Sequence, residues 1–336
     1  MALYVEDLLK SSGFPENPDS IRVVHTHTSV VFIGDEIVYK IKKPVNFGFL
    51  DYSTLEKRFF FCNKEVELNR RLSEGVYLGV VPVTFDGEKY RINGTGQVVD
   101  YAVKMRKLPK EDLLKNRFLN DDLSLEDIER VAKRIADFHL NAETSGEIDK
   151  YGEIEIIKFN TDENFTQTEE FISTSITEKQ YYELKQWTSD FYKENDRLFK
   201  DRIKKNRIRD CHGDLHMEHI YLTDPIIIYD CIEFNDRFRY SDTLADVAFL
   251  LMDLEFNNGK KVSEKLCKIY FEKMGEGKDA EILLIFYKVY RAYVRGKVIS
   301  FMLKDPNISY KDTEDAKKTS KRYFNLAYSY LTKENT

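Results

Sequence analysis

The chain has only four cysteines among its 336 residues, Cys62, Cys211, Cys231 and Cys267, and no CxxC spacing. This argues against a disulfide framework and for buried, reduced thiols of the kind found in the cytosol. No run approaches the roughly eighteen apolar residues that span a bilayer, so no membrane segment is expected. The first residues, Met1 to Asp7, carry early acids and no apolar stretch, so no secretory leader is expected and a cytoplasmic location is. Basic excess is missing too: the net charge is -6 and no strong basic stripe stands out, which argues against a nucleic-acid partner. Internal repeats and low-complexity segments are absent, as are both glycine-rich phosphate loops, GxGxxG and GxxxxGK[ST]. What remains is a chain 42% hydrophobic and 13% aromatic, ample for a packed core and long enough for two domains or one bilobal unit.

Residues 1 to about 105 read as strand-rich with one helix. Val30–Ile33 and Ile37–Ile41 flank a Gly34-Asp35 turn and predict a hairpin. Ser53 and Glu56 have capping-box spacing and predict a helix running to about Leu72. Strands are predicted over 80–84, 89–92 and 98–105. Beyond Leu108 the pattern turns helical, with helices expected over 124–142, 181–192, 241–256, 262–274, 279–304 and 313–332. The break falls at Met105–Pro109, which gives an α+β chain with a smaller β-rich lobe over 1–107 and a larger, mainly α lobe over 108–336.

The chemistry concentrates in Asp210–Leu222 and the following Ile226–Phe234. Three of the six histidines, His212, His216 and His219, lie here beside Gly213 and Asp214. Tyr221-Leu222 and Ile226–Tyr229 read as antiparallel strands around a Thr223-Asp224-Pro225 turn, which would bring Asp214 and Asp230 near one another. Asp214 is the candidate base for a hydroxyl. Asp230 follows three isoleucines and a tyrosine, where an acid is costly without a partner, and is the candidate magnesium ligand, with Glu233 assisting. Against these stand a turn-capping role for Asp214, a strand-end role for Asp230 and a surface position for Glu233.

Strand alternation puts Val38, Lys40 and Lys42 on one face. Lys40 either snorkels to solvent or contacts nucleotide phosphates with a glutamate from the adjacent helix. Glu65 shares a helix face with Phe61, Leu68 and Leu72, so it is the expected partner. Ser29, in the turn between the first strands, is the candidate phosphate-covering residue. His139 reads as a hydrogen-bonded core histidine and Asp246 as a brace for the Asp214 loop. Asp253 and Glu255 either face a cationic acceptor or are solvated.

Together, His212-Gly213-Asp214-x-His216 with His219 five residues after the aspartate, and Asp230 on a later strand, resemble the aminoglycoside phosphotransferase-like branch of the protein-kinase-like fold. Tyr39–Asp51, Leu68–Leu72 and Asp230–Asn235 are still more similar to a bacterial subgroup in which some members carry a C-terminal P-loop ATPase domain; no P-loop occurs here. The resemblance covers about residues 20–255. It implies a bilobal enzyme that moves the γ-phosphate of ATP (or GTP), with Mg2+, to a hydroxyl of a small-molecule acceptor. Asp214 is then the base, Asp230 a metal ligand, Lys40 the phosphate contact and Glu65 its partner, with nucleotide near the Met105–Pro109 hinge. His219 stands where the family has asparagine, and imidazole is a poorer magnesium ligand than an amide oxygen. Two rivals follow: a nucleotide-binding pseudokinase, and a hydrolase with metal on His212, Asp214, His216 and His219. The acceptor and the oligomeric state are not legible.

Overall fold

The computed structural model describes residues 2–305 and 308–333. It forms two compact units, one made of the chain up to Asp122 with Glu218–Arg239, the other of Leu123–Met217 with the chain from Tyr240 onward. Residues 108–122 and 218–239, expected with the helical lobe, therefore belong to the sheet unit. Backbone bonds explain this: Leu222 N donates to Asp112 O and Ile228 N to Leu72 O.

In chain order the elements begin with α1 (Ala2–Leu8), β1 (Arg22–His25), β2 (Ser29–Ile33), β3 (Ile37–Lys42), α2 (Leu55–Asn69), β4 (Tyr77–Phe85), β5 (Tyr90–Ile92), β6 (Gln97–Arg106) and α3 (Leu114–Leu119). They continue through α4 (Leu125–Asn141), α5 (Gly146–Asp149), α6 (Ile154–Thr168), α7 (Glu178–Lys204), β7 (Ile208–Asp210), β8 (Ile220–Tyr221), β9 (Ile227–Ile228) and α8 (Asp236–Arg239). The last are β10 (Tyr240–Asp242), α9 (Thr243–Phe256), α10 (Lys260–Met274), α11 (Lys278–Phe301) and α12 (Tyr310–Lys333).

The first unit is built on a sheet of order β1-β2-β3-β6-β4-β5, antiparallel throughout. Alternation sorts its side chains into two apolar layers. Val30, Phe32, Tyr39, Ile41, Val83 and Ala102 pack on one face with Leu8 and Phe14. Val103 and Met105 pack on the other with Cys62 and Val66 of α2, and Val38 joins them. Lys40 and Lys42 share the Val38 face, so their stems run toward α2. That helix is capped by Thr54, whose hydroxyl accepts from Lys57 N, one residue later than expected. The Ser53 hydroxyl donates to Asp51 instead. The predicted hairpin is present, with Ile220 opposite Ile228 and Tyr221 opposite Ile227.

The described residues of the second unit are mainly helical, with β7 and β10 as an antiparallel pair. Its core gathers Phe165, Tyr181, Leu184, Phe249, Met252, Tyr293 and Phe324. The expected helix at 181–192 extends over Glu178–Lys204 with a kink at Asn195. Helix α6 was not expected, because its buried face is largely polar, Thr161, Asn164 and Thr168 beside Phe165, and so shows no apolar period.

Candidate functional site

In the sheet unit five charged side chains form one network. Lys40 Nζ donates to Glu65 Oε1 (2.9 Å) and to Asp230 Oδ1 (2.6 Å). Lys42 Nζ takes the other oxygen of Glu65, Oε2 (2.6 Å), and also donates to Glu233. Tyr52 completes it, its hydroxyl donating to the same Glu233 oxygen. Glu65 is wholly inaccessible and Lys42 is 1% exposed, whereas the Asp230 side chain keeps 37% of its surface. Only the Asp230 end of the network is open to a ligand.

Burial drives the Lys40 amine toward neutrality, but Asp230 and Glu65 outweigh it and hold its pKa well above the usual lysine value. Lys42 behaves alike, with Glu233 and Glu65 overcoming burial. For Glu65 burial favours the neutral acid, and the two ammonium groups prevail and lower its pKa.

Asp230 sits in the left-handed region at φ 63°, a conformation that costs a non-glycine residue about 1–2 kcal/mol. Two hydrogen bonds hold it there: its N–H reaches the Tyr77 hydroxyl (3.2 Å), and the next N–H, of Cys231, reaches Asn69 Oδ1 at the end of α2 (2.9 Å). The strain aims the carboxylate back at Lys40. His219 Nε2 lies 3.6 Å from the second Asp230 oxygen.

This donor set fits a magnesium ion held mainly by substrate phosphates, which needs only one or two protein carboxylates. Asp230 offers one, partly exposed, with His219 beside it. Glu233, expected as a further ligand, is instead 5% exposed and engaged by Lys42 and Tyr52. Ser29 does not sit in a phosphate-covering loop: it opens β2 opposite Lys42, 1% exposed, and its hydroxyl has no hydrogen-bond partner among the described residues. Met105 lies within β6, paired to Val38 and Tyr77, in an apolar layer that Leu108, Ile227 and Tyr229 flank.

In the helical unit the loop after β7 carries Asp214. Gly213 adopts φ 86°, which a side chain would resist. Asp246 of α9 accepts from the backbone N–H groups of His212 (2.9 Å) and Gly213 (2.8 Å), and Arg291 of α11 donates to Gly213 O (3.1 Å). Behind it, His139 Nε2 meets Asp246 (3.1 Å) and His139 Nδ1 meets the Tyr270 hydroxyl (2.7 Å). The expected core role of His139 and bracing role of Asp246 are thus both present. Asp214 itself is 34% exposed along its side chain, with His216 Nε2 3.5 Å from Oδ2. His212 Nδ1 accepts from Asp214 N, so that ring turns back on its own loop.

Burial pushes the Asp246 carboxyl upward, but the His139 bond and the nearby charges of His139, His212 and Arg291 bring it down to about 2, below the ordinary 3.8. A depressed folded value stabilises the native state above the unfolded one and is lost as pH falls through it. Acid titration from about pH 4 to about pH 2 is therefore expected to remove roughly 2 kcal/mol through this group, at 1.4 kcal/mol per pKa unit. Urea midpoints measured across that range should lose this limb in Asp246→Asn; an unchanged limb would remove Asp246 from the brace.

Sequence reasoning missed Lys42, Tyr52, Tyr77 and Arg291. For Lys42 a signal existed, since two lysines alternate on the strand face that meets Glu65. Tyr52, Tyr77 and Arg291 act through contacts distant in sequence and carry no local pattern.

No family model matches the chain. Uncharacterized proteins of Mycobacterium bovis and Mycobacterium tuberculosis are 32% identical over 281 residues, covering 83% of this chain and 54% of theirs. The chain thus spans about half the length of the curated relatives it matches. Among solved structures, a choline/ethanolamine kinase family protein from Mesorhizobium loti aligns over 97% of this chain and 98% of its own, with a TM-score of 0.52 at 14% identity. A microcompartment-associated aminopropanol kinase aligns over 98% and 97%, with a TM-score of 0.54 at 12% identity. Amicoumacin kinase, solved with AMP-PNP, Ca2+ and its ligand, aligns over 92% and 89%, with a TM-score of 0.52 at 11% identity. No described helix is long and apolar enough to cross a membrane. With its curled antiparallel sheet, helix α2 packed on that sheet and its larger helical part, the chain has the protein-kinase-like fold of these small-molecule kinases.

Proposed function

We propose that the protein is an ATP- and Mg2+-dependent phosphotransferase acting on a hydroxyl of a small molecule. The observation that carries this reading is Lys40 bonded at once to Glu65 and to the left-handed Asp230. Such a lysine is held charged and aimed, which suits it to neutralise nucleotide phosphate oxygens. Further support comes from the kinases of like fold, one of which holds a non-hydrolysable ATP analogue and a divalent cation.

In this mechanism Lys40 draws a nucleotide phosphate toward the open end of the network, and Asp230 and His219 are the residues that would hold Mg2+. An ion held there would supply positive charge to offset that of the nucleotide phosphates. Asp214 accepts the proton of the acceptor hydroxyl as its oxygen bonds to the γ-phosphorus. The bond from that phosphorus to the β–γ bridging oxygen breaks, and ADP leaves with the electron pair. His216 keeps Asp214 oriented, and the Asp246–Arg291 brace keeps the loop in place.

ADP release with Mg2+ and ATP, screened over sugars, amino alcohols, hydroxy acids and aminoglycosides, tests the reading. Lys40→Ala is expected to weaken Mg2+·AMP-PNP binding at least about tenfold, the loss of one charge-assisted hydrogen bond worth 1.5–3 kcal/mol. Retention of full affinity would remove Lys40 from the phosphate site. A second reading, a nucleotide-binding module without transfer, draws on His219 standing beside Asp230 where the family has asparagine. Single-turnover measurements separate the two: bound nucleotide with no phosphorylated product in any acceptor mixture favours the second.

A further inference from the structure

We infer that Arg295 recognises an oxyanion on the acceptor, so that the molecule phosphorylated is a hydroxylated acid, bearing a carboxylate or a phosphate ester, and not an amino alcohol. The inference rests on Asp214 being the base of the reaction proposed above.

An ammonium group on the acceptor would need a free carboxylate near Asp214 within the helical unit. The acids available there are already spent on the fold. Asp246 holds two loop N–H groups and His139. Asp253, 7% exposed, accepts from Met217 N (3.0 Å) and from the Asn257 amide (3.3 Å). Glu255 is taken by Lys288 (2.6 Å), Ser263 (2.9 Å) and the Tyr330 hydroxyl (2.6 Å). The two acids that sequence alone left open for a cationic acceptor, Asp253 and Glu255, are thus internal struts.

The cations are disposed differently. Arg291 spends its guanidinium on Gly213 O and Ala245 O, directly behind Asp214. Arg295 follows four residues later on α11, on the same helical face one turn further on. It is only partly buried, its guanidinium donates a hydrogen bond to Tyr323 and its carbon lies 5.7 Å from that ring, and among the described residues no carboxylate forms an ion pair with it. Burial opposes its charge, and Tyr323, Asp214 and Asp253 sustain it. With one N–H given to Tyr323, the guanidinium keeps further N–H groups for a pair of oxygens, the geometry that matches a carboxylate or phosphate. An ammonium-bearing acceptor would meet repulsion from Arg295, whereas an acid would meet attraction there.

Calorimetric titration of the intact chain decides the matter. The probes are D-glycerate, glycerol 3-phosphate, ethanolamine and 1-amino-2-propanol, each with and without saturating Mg2+·AMP-PNP. At least one of the two acids is expected to bind and both amines to fail. Arg295→Gln should weaken acid binding at least about tenfold, as loss of a charge-assisted pair does, and Arg295→Lys should restore part of it. Nucleotide affinity should stay as in the wild type. The two acid arms tell a carboxylate-reading site from a phosphate-reading one. Preferred binding of an amine, binding of neither acid, or acid binding unaltered by Arg295→Gln would each overturn the inference. Should Arg295→Gln fail to fold, the preference of the wild-type chain between acids and amines still tests the inference. A chain that binds acids through Arg295 but never binds Mg2+·AMP-PNP would sink the phosphotransferase reading and leave this site standing.

Discussion

Lys42→Met is expected to cost about 3–5 kcal/mol of folding stability, the usual penalty for removing one partner of a buried ion pair. Lys42 touches no solvent worth counting, and both of its carboxylate partners, Glu65 and Glu233, are themselves buried. With the ammonium gone, Glu65 keeps Lys40 on one oxygen, but Glu233 keeps only the Tyr52 hydroxyl. A buried carboxylate then remains with no ammonium bonded to it, since Lys40 is near enough to feel its charge but is bonded to Glu65 and Asp230. Urea unfolding of the wild type and variant reads the loss directly. The double variant Lys42→Met with Glu233→Leu should recover much of it, because a well-packed apolar pair replaces a buried ionic one at little or no cost. A single-variant loss below about 1 kcal/mol, typical of an exposed pair, would mean the network is not buried as described.

The same residues show what could be foreseen and what could not. Alternation along Val38–Lys42 and the helical stripe through Glu65 sufficed to pair Lys40 with Glu65, because both periods are local and the two elements are neighbours in sequence. The hairpin of Ile220–Tyr221 with Ile227–Ile228 was legible for the same reason. Glu233 was misplaced because its fate depends on Lys42 and Tyr52, 191 and 181 residues away in the chain. An acid in a short Asp-x-x-Glu run looks like a ligand until those two partners are known. Ser29 failed differently: its place at a turn suggested exposure, but it is the first rung of the β2–β3 ladder and faces inward beside Lys42. The membership of 218–239 in the sheet unit was hidden too, since the bonds that dock it reach Leu72, Asn69 and Tyr77, about 150 residues earlier in the chain, where no local pattern points to such a partner.

Asp214→Asn is expected to lower the rate of phosphoryl transfer by about 10²–10⁴, the contribution of a positioned general base, and to leave Mg2+·AMP-PNP affinity unchanged. Asparagine has the same shape and can still hydrogen-bond an acceptor hydroxyl, but it cannot take up the proton. The loss should therefore appear in kcat at saturating acceptor and not in nucleotide binding. His216 supplies an observable that needs no turnover. Burial drives its imidazole toward the neutral form, and Asp214 beside it overcomes this and raises its pKa above 6.5. A raised histidine value stabilises the native state fully below the unfolded value and is lost as pH climbs through the folded one. Removing the Asp214 charge leaves only Asp253 to oppose burial and Arg295, so the His216 resonance in Asp214→Asn should titrate below the wild-type position. Unchanged transfer together with an unshifted His216 titration would show that Asp214 neither takes the proton nor faces that ring. A shifted titration with unchanged transfer would keep the geometry and move the base elsewhere.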